Sequence, residues 1–126
     1  MAEAITVTTY RHTLAAQMSG GAAARPMAYM AFGDGGHNAD LTPKTPSPEM
    51  IHLVNELLRK PLALITNEDP LSATGRGVLE ASELVGARIS EAALLDESGA
   101  MIGYKTFSPK FKESDERYEI NIKLRF

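Results

Sequence analysis

Chemistry is best sought first in the loop from Asp34 to Asp40, where Asp34, His37, Asn38 and Asp40 bring carboxylate, imidazole and amide groups into one short stretch. These are donor types that hold a divalent cation. The spacing does not follow the alternate-position pattern of a calcium-binding helix-loop-helix segment, and no glutamate closes its frame. A plain turn is the favoured reading, with a small metal-binding protein or enzyme using Asp34, His37 and Asp40 as the alternative. His12, His37 and His52 are scattered and form no zinc pattern. No serine has the surroundings of a nucleophile elbow. The glycines of Gly33-Asp34-Gly35-Gly36 lie twelve residues before the nearest expected helix, too far to cradle a phosphate at its start. The chain therefore reads as noncatalytic, with no catalytic, metal or cofactor residue assigned.

Glu91 is the carboxylate that needs an explanation. If Arg88 to Leu95 is a strand, then Ile89, Glu91, Ala93 and Leu95 share a face, and the charge points where apolar residues point. A rim position where it stays wet is the favoured reading. The sharper one is a structural ion pair with Arg59 or Lys60, because a buried carboxylate must be compensated.

The elements that would position these groups follow from periodicity and punctuation. Ile5 and Val7 alternate with threonines, as a short strand or as the lead into a helix capped by Thr8 or Thr9. Tyr10, Leu14 and Met18 recur every four residues and predict a short N-terminal helix that ends at Gly20-Gly21. Met27 to Phe32 is apolar on both faces, as in a buried central strand. The glycines that follow permit positive φ and break that strand in a turn. Three prolines between Leu41 and Pro48 make a stiff, extended connection. Ser47 as N-cap, Pro48 in the first turn and Glu49 beside it then predict a helix over about 48–60. Its stripe would be Met50, Leu53, Val54, Leu57 and Leu58, with Ile51 widening it. His52, Asn55, Glu56 and Arg59 would face away, and Pro61 would end it.

Beyond Pro61, Leu62 to Thr66 and the residues after the Asn67–Pro70 turn predict a hairpin, with Gly75 and Gly77 marking a bulge or a close backbone approach. Asp96 to Gly99 has the composition of a hairpin turn between Arg88–Leu95 and the run from Met101 to Phe107. Tyr118, Ile120, Ile122, Leu124 and Phe126 alternate with polar residues, which gives a last strand with one buried face. The fold class is α+β: mainly antiparallel sheet, one well-defined helix over about 48–60, and a shorter N-terminal helix.

A chain of 126 residues fits one domain with a real core. Its formal charge of -3 offers no general attraction for nucleic acid or for anionic membrane surfaces, so neither is expected as a partner. Cysteine is absent, which removes disulfide and thiolate chemistry. The first twelve residues lack a basic region followed by an apolar run, and no apolar run approaches the roughly 20 residues needed to span a bilayer. A soluble protein made in the cytoplasm is expected.

Two segments carry a family resemblance. The stretch MAFGDGG, then prolines, then PSPEMIHLVNELLRKPL resembles the N-terminal attachment domain of the phage tail-collar fibre family, which includes tail fibres of contractile-tailed phages and R-type pyocins. In that family a glycine-rich turn precedes prolines and a segment reading approximately L-x-N-E-x-x-R-x-x-L. Leu53, Asn55, Glu56, Arg59 and Leu62 hold those places here. Downstream, ARISEAALLDESGAMIG is similar to the family's strand-turn-strand segment, approximately I-R-E-I-G-L-x-D-x-x-G, with Ile89, Glu91, Leu94, Asp96 and Gly99 retained. Ser90 stands where arginine is usual, and Ala93 where glycine is usual.

The resemblance covers about Met27 to Phe107. It implies a noncatalytic tail component, located in the virion tail, that joins fibres to the baseplate. It further implies assembly with copies of itself, trimers being common among fibre relatives, and with baseplate or tail-fibre proteins. The assembly candidates are Gly33, Asp34, Gly35, Gly36, Asn55, Glu56, Arg59 and Glu91. The sequence ends at Phe126 with no shaft after it, so a small baseplate or adaptor component, or a prophage remnant, is expected rather than a receptor-binding fibre. The outward face of the expected helix, His52, Asn55, Glu56 and Arg59, is the first candidate for a partner contact.

Overall fold

In a computed structural model, which describes residues 4–126, alternating and glycine-punctuated segments form antiparallel strands, and the fold is α+β and mainly sheet. The first three residues, part of the segment read for a leader, lie outside the described residues. The elements run β1 (Ile5–Thr6), α1 (Thr8–Met18), β2 (Met27–Gly33), β3 (Glu56–Pro61), β4 (Leu64–Thr66), β5 (Ser72–Leu79), β6 (Arg88–Asp96), β7 (Met101–Phe111) and β8 (Tyr118–Arg125). A five-stranded sheet has the order β1-β7-β6-β2-β3, and a three-stranded sheet the order β4-β5-β8. No helix among the described residues is long and apolar enough to cross a membrane.

The two faces of the five-stranded sheet are buried differently. One face carries Met30, Phe32, Ala92 and Leu94, which pack with Leu79, Ile122 and Leu124 of the smaller sheet. Gly75 and Gly77 allow that contact: a Cβ at Gly77 would fall on the Met30 sulfur and 2.9 Å from the Phe32 ring, and one at Gly75 would fall 2.6 Å from a Leu94 methyl. The expected close approach is therefore side chain against bare backbone. The other face, with Ala31, Ala93, Leu95 and Tyr104, is covered by Val7, by Leu53 and by the irregular segment between β2 and β3. We call residues 34–55 the strap.

Among the described residues one helix is formed, not two. Helix α1 ends in a Schellman motif, with Gly21 N–H bonded to Ala16 O (2.7 Å), Gly20 N–H to Gln17 O (3.1 Å), and Gly20 at φ +95°. The helix expected over 48–60 does not exist. Residues 48–55 are turns and bends, and Glu56–Pro61 is the edge strand β3. Of the expected stripe only Leu53 is buried, while Ile51 and Val54 are more than half exposed. The local start signals were real: Glu49 N–H still bonds Ser47 Oγ at 3.3 Å. They lost because the Val54 and Asn55 amides, which a helix would need for its own ladder, are claimed by a carboxylate on β6.

Strand β3 has a bulge. Phe32 pairs with Leu58 and Gly33 with Glu56, which leaves Leu57 unpaired. The extra residue brings Glu56 and Arg59 to the same face, opposite Gly33 and Ala31, and their ion pair forms at 2.9 Å along a strand instead of across a helix turn. Strand β6 is irregular between Ile89 and Glu91. Ile89 joins the core between the sheets, whereas Glu91 points to the strap, so the expected shared face of Ile89 and Glu91 is not formed.

Candidate functional site

The glycine-rich turn and the strap are held by side chains projecting from β6 and β7. Glu91 is fully buried. Its Oε2 accepts the N–H groups of Gly35 (2.8 Å) and Asn55 (2.9 Å), and its Oε1 accepts that of Val54 (2.9 Å). Neither expected partner is involved: Arg59 pairs with Glu56, and Lys60 reaches Glu83 and, at 2.8 Å, Val78 O on the opposite side of the sheet. The wet rim position is excluded as well. Charge-assisted bonds from backbone amides supply the compensation that an ion pair would have given.

The neighbouring residue extends the clamp. Ser90 Oγ accepts Gly36 N–H at 2.9 Å and lies 2.8 Å from His37 Nδ1. Asp34 and Asn55 close the ring, with Asn55 Nδ2 donating to Asp34 Oδ1 (2.7 Å) and Asp34 N–H to Asn55 O (3.3 Å). The glycines are required for room. Gly33, Gly35 and Gly36 are not among the residues with positive φ, contrary to the turn chemistry expected of them. Instead, a Cβ at Gly33 would meet Asn55 O and lie 2.6 Å from Glu91 Oε2, and one at Gly35 would lie 2.6 Å from Val54 Cβ. At Gly36 a Cβ would meet Ser90 O and lie 2.8 Å from Glu91 Cβ.

Further along, Tyr104 fixes the proline-rich part. Its hydroxyl accepts Ser47 N–H and donates to Ser47 O at 3.2 Å. Burial pushes the Tyr104 phenol above its usual range, the Ser47 amide opposes this, and the nearby Glu91 charge adds to the rise. Thr106 Oγ1 donates to Lys44 O at 2.6 Å. Ser90, Tyr104 and Thr106 were not singled out from the sequence. For Glu91 and Ser90 a signal was present, in that polar side chains on an apolar strand can be satisfied by free amides of a glycine-rich turn. For Tyr104 and Thr106, whose partners lie 57 and 62 residues away, there was none.

The residues of the metal alternative are engaged separately. Asp34 bonds Asn55, His37 meets Ser90, and Asp40 caps its own loop through the Thr42 hydroxyl and amide, which hold its carboxyl below the usual range. Among the described residues there is no group of three or more His, Cys, Asp or Glu side chains arranged to hold a metal ion. The site thus brings together Gly33, Asp34, Gly35, Gly36, Asn55 and Glu91, whereas Glu56 and Arg59 stand exposed beside it on β3.

No family model matches the chain, and comparison with curated proteins and with solved structures gives no match either. His52, Asn55, Glu56 and Arg59 are all exposed, although they lie on a bend and a strand rather than along one helix. His52 Nδ1 is turned back to donate to Leu53 O at 2.8 Å.

Proposed function

We propose that the protein is a noncatalytic structural component of a phage or prophage-derived tail, a module that joins fibre and baseplate proteins and assembles with copies of itself. One observation carries the reading. The two separated segments on which the family resemblance rests meet at a single carboxylate, with Glu91 of the second taking the amides of Gly35 and Asn55 of the first. Residues retained for shape rather than for chemistry behave in this way: both carboxylate oxygens are spent on backbone amides, and the glycines are fixed by contact. The arrangement supports a role in presenting a surface. On this reading Asp34, Asn55, Glu56 and Arg59, beside the clamp, form the part of the strap and β3 that a tail partner would meet.

The test is co-assembly. Tail particles purified by density gradient from cells expressing the surrounding gene cluster should contain the chain. The double charge reversal Glu56→Lys with Arg59→Glu, which keeps the internal pair while inverting what a partner meets, should lower its incorporation. Absence of sheath, tube and baseplate genes from that cluster, or a chain that never travels with particles, would refute the proposal.

A further inference from the structure

Helix α1 has no buried residue, and its sequence has one Arg, one His and no acid. A helix of 11 residues draws little stability from its own hydrogen bonds, so its packing matters. Thr8 N–H bonds Pro48 O at 2.7 Å, and the Tyr10 ring lies 6.3 Å from that of Phe126, leaving Met18 88% exposed and Phe126 52% exposed. Between the helix and the strap runs a groove of about 640 Å³. Leu14 lines it from the helix and Pro46 and Pro48 from the strap, and Phe126 also contributes to the lining. Ile5–Thr6 also line it; they are β1, the terminal strand of its sheet, paired only with β7 among the described residues. Arg11 and Arg125 line the same groove, and neither guanidinium forms an ion pair among the described residues. Glu49, next to Pro48, is taken by Thr8 Oγ1 at 2.9 Å.

We propose that this groove receives an extended segment of another protein in which a carboxylate is flanked by apolar side chains. The outer edge of the two-residue β1, which has no strand partner among the described residues, meets the backbone of the segment, the prolines, Leu14 and Phe126 take the apolar side chains, and Arg11 and Arg125 take the charge. A second copy docking α1 against α1 about a two-fold axis would bring Arg11 and His12 of both copies together with no acid from either helix. Charge thus disfavours pairing of α1 with its own copy and favours an acidic segment at this face. The inference stands on the groove and not on the clamp at Glu91, so either can fail alone.

Short fluorescein-labelled peptides of alternating leucine and threonine, identical except for glutamate or lysine at the centre, test it by fluorescence anisotropy. The wild type should prefer the glutamate peptide by about tenfold, the scale of two partly exposed ion pairs. The double variant Arg11→Glu with Arg125→Glu should reverse that preference while its melting midpoint stays that of the wild type, since both positions are exposed. The variant Leu14→Ser should weaken both peptides. Equal binding of the two peptides, an unchanged preference in the double variant, or no saturable binding of either up to about 1 mM would overturn the proposal. Self-association in sedimentation that the double variant abolishes, and that the glutamate peptide fails to displace, would give the groove to a second copy and overturn it equally.

Discussion

Replacing Glu91 by Gln changes one atom of the clamp. The carboxylate offers two acceptor oxygens to the amides of Gly35, Val54 and Asn55, whereas the carboxamide offers one acceptor and one donor. In its better orientation the Gln oxygen keeps the Gly35 and Asn55 amides and turns its NH₂ toward the Val54 N–H. One charge-assisted bond is lost outright and two fall to neutral strength, about 3 kcal/mol in all. For 126 residues the unfolding entropy is about 0.26 kcal/mol/K, so the melting midpoint should drop by roughly 11 °C. Calorimetry at neutral pH reads the midpoint, and amide exchange at Gly35, Val54 and Asn55 reads the strap directly. Glu56→Gln, which breaks only an exposed pair, should cost less than about 1 kcal/mol and serves as the control. A midpoint within about 3 °C of wild type, or undiminished protection of those three amides, would show that the carboxylate does not hold the strap.

Gly36→Ala should cost about 2–3 kcal/mol by denaturant titration, because its Cβ would press on the Ser90 carbonyl and the Glu91 side chain and the turn would have to move. Burial raises the Tyr104 phenol in the folded state, so its neutral form is favoured there. That contribution is complete below the unfolded value near 10 and is lost as pH rises through the raised folded one, and Tyr104→Phe should therefore flatten the alkaline decline in melting midpoint while costing about 1 kcal/mol at neutral pH. At Asp96 burial works upward, but the hydrogen bonds from the Ser98 hydroxyl, Ala100 N–H and Ser98 N–H, with Arg25 nearby, outweigh it and hold the carboxyl below its usual range. Its contribution is present above the ordinary carboxylate range and lost as pH falls through the lowered value, so Asp96→Asn should melt with a shallower acid decline than wild type.

What could be read in advance was what local pattern decides. The buried strand at Met27–Phe32, the hairpin around Asp96–Gly99 and the alternation of Tyr118–Phe126 each follow from residues that are neighbours in the chain, and β2, β6–β7 and β8 form there. The error at 48–60 has a long-range cause. Capping residues and a stripe of period near four are equally present when the segment is bent, and the group that decides the outcome, Glu91, lies 36 and 37 residues away from the amides it binds. A buried carboxylate points first to a cation as its partner, but three backbone amides satisfy Glu91 instead. Glycines in a turn point first to positive φ, yet here their role is to leave amides free and room for the side chains that bind them. Ser90 does the same work for Gly36.

The anchors of the strap also bear on the order of events during folding. The side chains of β6 and β7 that bond residues 34–55 do so at separations of 36 to 62 residues. Closing such loops costs chain entropy before any contact repays it. The strap therefore lacks most of its anchors until the β6–β7 hairpin exists, even though the ribosome delivers it first. A nascent chain released before Thr106 emerges would carry the strap, with its exposed Ile51 and Val54, before the β6 and β7 side chains that hold it are all available.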